Sequence, residues 1–87
     1  MVVSGELDDV RAPELRAALH HAGESPSRRV VVDLGDLRFV DSIGISVLLQ
    51  ASANLSRQGG ELVLRRPTEP VVRALRFAGL EGLLQVE

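Results

Sequence analysis

Residues 30–49 read VVVDLGDLRFVDSIGISVLL, and the succession of residue types in this stretch decides the fold. Val30-Val31-Val32-Asp33-Leu34 is a continuous β-branched run bounded by charge, which predicts a strand covered on both faces. Gly35-Asp36 is expected to turn the chain, and Leu37-Arg38-Phe39-Val40 follows as a short apolar segment. Asp41-Ser42 then stands where a helix begins, because a side-chain oxygen there can accept from the unpaired N–H groups of the first turn. Ile43, Val47, Ala51 and Leu55 recur on one helical face, and Leu48, Leu49 and Ser52 widen it to a half-buried stripe.

Working outward, Gly59-Gly60 ends that helix, and Glu61-Leu62-Val63-Leu64-Arg65 reads as a second strand. Thr68 can cap a further helix whose Pro70 is tolerated in the first turn, with Val71, Ala74, Leu75 and Ala78 as its apolar stripe. Gly79-Leu80 looks like a glycine-terminated helix end, and residues 83–86 supply a last strand. Toward the N-terminus, Val2-Val3-Ser4 is a strand stub, and Glu6-Leu7-Asp8-Asp9 an acidic turn leading to a helix over 13–22. Gly23 caps that helix and residues 24–27 form a polar loop. The alternation predicts an α/β domain over residues 1–87, with a largely parallel or mixed four-stranded sheet and a shortened first edge strand. Sheet edges so sparsely covered leave room for pairing with a second copy.

Composition removes whole classes of function. The chain has 87 residues, 45% hydrophobic and 25% charged, which is room for one modest core. It holds no Cys, so thiol nucleophiles, disulfides and cysteine-ligated metals are excluded. All ten basic residues are Arg, which excludes a Walker lysine or a Schiff base. A net charge of −2 and only two aromatic residues give no footprint for nucleic acid. No apolar run is long enough to span a membrane and no secretory segment follows Met1, so a cytoplasmic location is expected.

Asp41-Ser42-Ile43-Gly44 is the sharpest chemical feature, since it places a hydroxyl and a carboxylate on a helix N-terminus, where backbone amides favour an anion. Two readings stay open. Asp and Ser are ordinary capping residues. Alternatively, an exposed Ser42 hydroxyl accepts a phosphoryl group, and Asp41, with Asp33 and Asp36 nearby, makes the modified surface strongly negative. A serine hydrolase elbow would need Gly where Val40 stands. His20 and His21 lack the spacing of a metal pair and sit near a helix end, so neither metal, cofactor nor catalysis is assigned. The basic bias of Arg65, Arg66, Arg73 and Arg76 reads first as a solvated face and second as a face for a partner's acidic surface.

Three stretches together resemble the STAS domain of bacterial anti-sigma factor antagonists: SGELDDVRAPELRAAL, VVVDLGDLRFVDSIGISVLL and GGELVLRRPTEPVVRALRFAGLEGLL. The D-S-x-G junction after the strand and the P-x-x-V-x-x-x-L-x-x-x-G-L pattern are specific in combination. The resemblance implies a non-enzymatic partner switch. In it the residue at Ser42 is phosphorylated by an anti-sigma factor that is itself an ATP-dependent serine kinase, the unmodified form frees a sigma factor, and a phosphatase resets the system. Matched position by position, Ser42 is the acceptor, Asp41 its acidic neighbour, and Gly44 the small residue admitting the partner. Asp8 is implied near the same loop, with Ile43, Ile45 and Ser46 on its exposed side. Arg11 stands where a hydroxyl residue commonly starts the first helix, so a weaker cap is expected there. A competing use of the same fold is a constitutive subunit of a lipid-transport ABC complex, which needs no serine switch.

Overall fold

The computed structural model describes residues 1–24, 29–79 and 85–86. In chain order these form β1 (Gly5–Leu7), α1 (Ala12–Ala22), β2 (Arg29–Asp33), β3 (Leu37–Val40), α2 (Ser42–Arg57), β4 (Glu61–Arg65), α3 (Glu69–Phe77) and β5 (Gln85–Val86). The expected α/β alternation is present, and every strand pairing is parallel. Of the expected elements, residues 25–27 of the polar loop, Leu80 and residues 83–84 of the last strand lie outside the described residues.

Two ladders make up the sheet, β1 beside β3 and β2-β4-β5. They are connected. Val2 bridges Asp33, and Gly5, Glu6 and Leu7 face Leu37, Phe39 and Val40, so partner numbers rise together along one interrupted parallel pairing. Its hydrogen bonds run from Asp33 N–H to Met1 O (2.7 Å), Val3 N–H to Asp33 O (3.1 Å) and Gly5 N–H to Asp36 O (3.0 Å). Taken as single interrupted strands, residues 1–7 and 29–40 with β4 and β5 give four strands, the number expected.

One local reading needs correction. The first strand proper is Gly5–Leu7, which runs from the end of the expected stub into Glu6 and Leu7 of the expected turn, because Leu7 must reach the core, where it is 1% exposed. Gly35-Asp36 turns the chain as expected, without reversing it. Leu37 N–H donates to Leu34 O (3.1 Å), and the backbone resumes as β3 after an offset.

The core gathers Leu15 and Leu19 of α1, Val47, Leu48 and Leu55 of α2, and Val71 and Leu75 of α3 against Val30, Val32, Leu62 and Leu64. Full burial of each such side chain is worth about 1.5–3 kcal/mol against exposure. No polar or charged residue is buried among the described residues. The stripe of α2 runs through Gly44, Ile45, Val47, Leu48 and Leu55, and Ile43, expected on it, is exposed. The helix phase is fixed by its start at Ser42, which turns position 43 to solvent. Ala78 is likewise exposed beyond the end of α3.

Gly23 follows α1 with helical angles (φ −69°), so its role is room and not a left-handed cap. A Cβ there would lie 3.2 Å from Leu55 Cδ2, which brings α1 close to α2. Gly59, by contrast, has φ +80° and ends α2 in the left-handed region that glycine adopts freely. Thr68 occupies the N-cap position of α3, but its hydroxyl donates to Leu37 O (2.9 Å) and ties the helix start to β3.

Candidate functional site

The site is built where β1 and β3 end side by side. Asp41 N–H donates to Leu7 O (3.1 Å), so the last residue of β1 is fastened to the residue preceding α2. Asp41 is extended (φ −102°, ψ −177°), and its Oδ1 accepts from Gly44 N–H at 2.9 Å while its carbonyl accepts from Ile45 N–H at 3.0 Å. This is a complete N-cap. The two readings left open for Asp41-Ser42 therefore fall on different residues: Asp41 caps, and Ser42 is exposed with no side-chain hydrogen bond among the described residues.

Asp8 is brought to the same place. It follows Leu7 directly, its Oδ1 accepts from Val10 N–H (3.2 Å) and Arg11 N–H (3.1 Å), and its carbonyl accepts from Ala12 N–H (2.9 Å). Arg11 makes no side-chain cap, as expected of it, and Asp8 organises the start of α1 instead. The Asp8 turn and the Asp41-Ser42 junction are thus adjacent through Leu7.

Two of the matched residues serve the fold. Gly44 is buried, and a Cβ on it would lie 2.6 Å from Leu7 Cγ and 3.0 Å from Leu7 O. Its smallness admits Leu7, an internal neighbour, where the resemblance implied a partner's approach. Ile45 is 8% exposed and belongs to the core, so it is not on the exposed side of the junction. Ile43 (45% exposed) and Ser46 are on that side.

The motif reading passed over exposed apolar residues of the same segments. Val10, two residues beyond Asp8, is 79% exposed, and Phe39, on the strand leading to Asp41, is 51% exposed.

A phosphoryl group on Ser42 would add about −1.5 to −2 charges at the α2 N-terminus. The helix end favours an anion by about 0.3–1 kcal/mol, whereas Asp41 and Asp8 oppose it. Asp33 contributes less to that field than its sequence position suggests. Its Oδ1 accepts from Gly35 N–H (2.8 Å), and Arg66 Nη2 lies 3.1–3.2 Å from its two oxygens. The Gly35 N–H first, and the Arg66 guanidinium second, hold the Asp33 carboxyl below its ordinary range. His20, near the far end of α1, lies 4.0 Å from Glu24. Among the described residues no group of three or more His, Asp or Glu is gathered as a metal site. No helix among them is long and apolar enough to cross a membrane.

Comparison with known proteins shows the family. The family model described as "Mlab, STAS domain" matches residues 1–85, and the chain belongs to the STAS domain family. It is 29% identical over 84 residues to the anti-sigma-B factor antagonist of Bacillus subtilis, covering 97% of this chain and 76% of that one. It is 27% identical over 85 residues to the Listeria monocytogenes protein of the same name, covering 98% and 75%. BtrV of Bordetella bronchiseptica, inferred to be an anti-sigma factor antagonist, is 37% identical over 84 residues, with 97% and 72% covered. The unphosphorylated anti-sigma factor antagonist SpoIIAA superposes with a TM-score of 0.82 at 24% identity, over 99% of this chain and 76% of that one. A Thermotoga maritima protein of the same inferred class superposes at 0.86 with 20% identity, over 98% and 75%. By similarity of sequence, the chain is of the anti-sigma factor antagonist type.

Proposed function

We propose that this protein is a cytoplasmic anti-sigma factor antagonist whose contact with an anti-sigma factor serine kinase is switched off by phosphorylation of Ser42. The observation that carries the reading is the separation of roles at the α2 N-terminus. Asp41 satisfies the helix end, so the Ser42 hydroxyl is exposed and available, and modifying it removes nothing the fold needs.

The unmodified junction, with Asp8, Asp41, Ser42, Ile43 and Ser46, docks on the kinase and releases the sigma factor held by it. A dianion placed in that contact beside Asp41 costs desolvation and repulsion unless the partner supplies an Arg. The kinase brings the ATP, and a phosphatase acting on phosphorylated Ser42 restores binding. The chain performs no catalysis of its own.

The test is a paired pull-down from the native cell extract with the wild-type chain, Ser42→Ala and Ser42→Asp, circular dichroism confirming that all three fold. Capture of an ATP-binding serine kinase by the wild type and Ser42→Ala, but not by Ser42→Asp, supports the switch. Phosphotransfer from ATP to the wild type and not to Ser42→Ala completes it. Equal capture of one partner, such as a transporter ATPase, by all three baits overturns it in favour of a constitutive subunit.

A further inference from the structure

Seven large apolar side chains are exposed among the described residues, and three of them gather at one corner of the molecule: Val10 (79% exposed), Phe39 (51%) and Ile43 (45%). They come from three separate segments that meet at the hydrogen bond from Asp41 N–H to Leu7 O. Val10 stands three residues beyond Leu7, Phe39 two before Asp41 and Ile43 two after it. At no more than about 3.6 Å of chain per residue, each backbone lies within roughly 12 Å of that bond.

The corner is held on a fixed frame. Val10 rides a turn closed by Asp8, whose Oδ1 accepts from Val10 N–H (3.2 Å) and whose carbonyl accepts from Ala12 N–H (2.9 Å). Phe39 is paired in register with Glu6, and Ile43 sits in the first turn of a helix that Asp41 caps. Valine and isoleucine are stiff at χ1 and phenylalanine has few side-chain torsions, so ordering them in a contact costs little entropy. Apolar groups clustered on such a frame have the make-up of an interface centre.

The surroundings are acidic. Segments 5–11 and 36–44 carry five carboxylates, Glu6, Asp8, Asp9, Asp36 and Asp41, against Arg11 and Arg38. A partner complementary to this corner presents an apolar face with a basic rim. Phe77 (96% exposed) ends α3 and lies outside these segments.

Building on the function given above, we propose that Val10 and Phe39, with Ile43, are the anchors on which the anti-sigma factor kinase docks, and that the kinase receives them on an apolar face with a basic rim. Affinity resides in the anchors, and attraction and orientation in the acidic rim. Ser42 directly precedes Ile43, so a phosphoryl group enters the apolar centre, where its desolvation is not offset, and not the rim where the partner's cations stand. Affinity and switching are then separable by substitution.

The test measures binding of the full chain to the serine kinase captured by the wild type, by calorimetry and by association kinetics. Val10→Ser and Phe39→Ser, both at exposed positions, are each expected to weaken binding by about tenfold or more with the melting temperature unchanged, and Val10→Ile to stay within about threefold. Phe77→Ser stays within about twofold of the wild type. Asp9→Arg slows association by about fivefold or more at about 20 mM salt, and the difference fades by about 0.5 M. A kinase that releases Ser42→Asp yet binds Val10→Ser and Phe39→Ser within about twofold of the wild type overturns this proposal and leaves the phosphorylation switch standing. Equal association rates of wild type and Asp9→Arg at low salt overturn the basic rim. Failure of the wild type to bind any serine kinase overturns the switch and the docking surface together.

Discussion

Leu7 and Gly44 interlock: the leucine at the end of β1 fills the space that any side chain at position 44 would need, with its Cγ 2.6 Å from the would-be Cβ. The contact, together with the Asp41 N–H bond to Leu7 O, fixes the first turn of α2 against the end of β1. Placement of the Asp41-Ser42 junction against the end of β1 follows from it.

Gly44→Ala is therefore expected to destabilise the protein by about 1–3 kcal/mol through overpacking, despite the higher helix propensity of Ala. Leu7→Ala alone costs about 2–5 kcal/mol. The double variant is expected to be more stable than the sum of the two by about 1 kcal/mol, since shortening Leu7 makes the room. Urea denaturation of the four proteins measures the coupling, and strict additivity would contradict the interlock.

The neighbouring positions 41 and 42 are expected to behave oppositely. Asp41→Ala removes the cap and costs about 1 kcal/mol. Ser42→Ala, at an exposed side chain without a hydrogen-bond partner among the described residues, stays within about 0.5 kcal/mol of the wild type. Thermal melts of both variants decide it.

Asp33 makes acid stability titratable. Its carboxyl is held below the ordinary range in the folded chain, so the stabilisation is complete above the unfolded value of about 3.9 and is lost as pH falls through the folded value. Asp33→Asn is expected to flatten the part of the melting temperature against pH curve that falls below about pH 4, while lowering stability at neutral pH. An acid limb unchanged by the substitution would remove Asp33 from the account.

Arg66 separates a backbone effect from a side-chain effect. It holds a left-handed φ of 53° and places its guanidinium on Asp33 over Gly35. Arg66→Ala and Arg66→Gly both lose the ion pair, but only glycine releases the backbone, so Arg66→Gly is expected to be more stable by about 1 kcal/mol. Equal denaturation midpoints would show that the conformation carries no strain.

Much of this architecture was legible because its signals are local. The β-branched run at residues 30–32, Asp41 before an apolar period and Gly59 after it each specify an element without help from distant residues. What escaped depends on tertiary neighbours. Leu7 reads as part of an acidic turn until the core that receives it is known, and Leu37–Val40 shows itself as a strand only when paired with β1. Gly44 and Ile45 were matched to a partner surface by motif. Whether such residues face inward is set by the helix phase, which Asp41 fixes by accepting from the Gly44 N–H. Val10 and Phe39 carry no motif at all, and only their exposure brings them to notice.

Because Asp41 alone seals the end of α2, the residue after it is released from structural selection. A lineage can replace the hydroxyl at position 42 in a single step and keep a domain that folds, so the proposed regulation by phosphate is one that can be lost, or regained, without passing through an unstable ancestor.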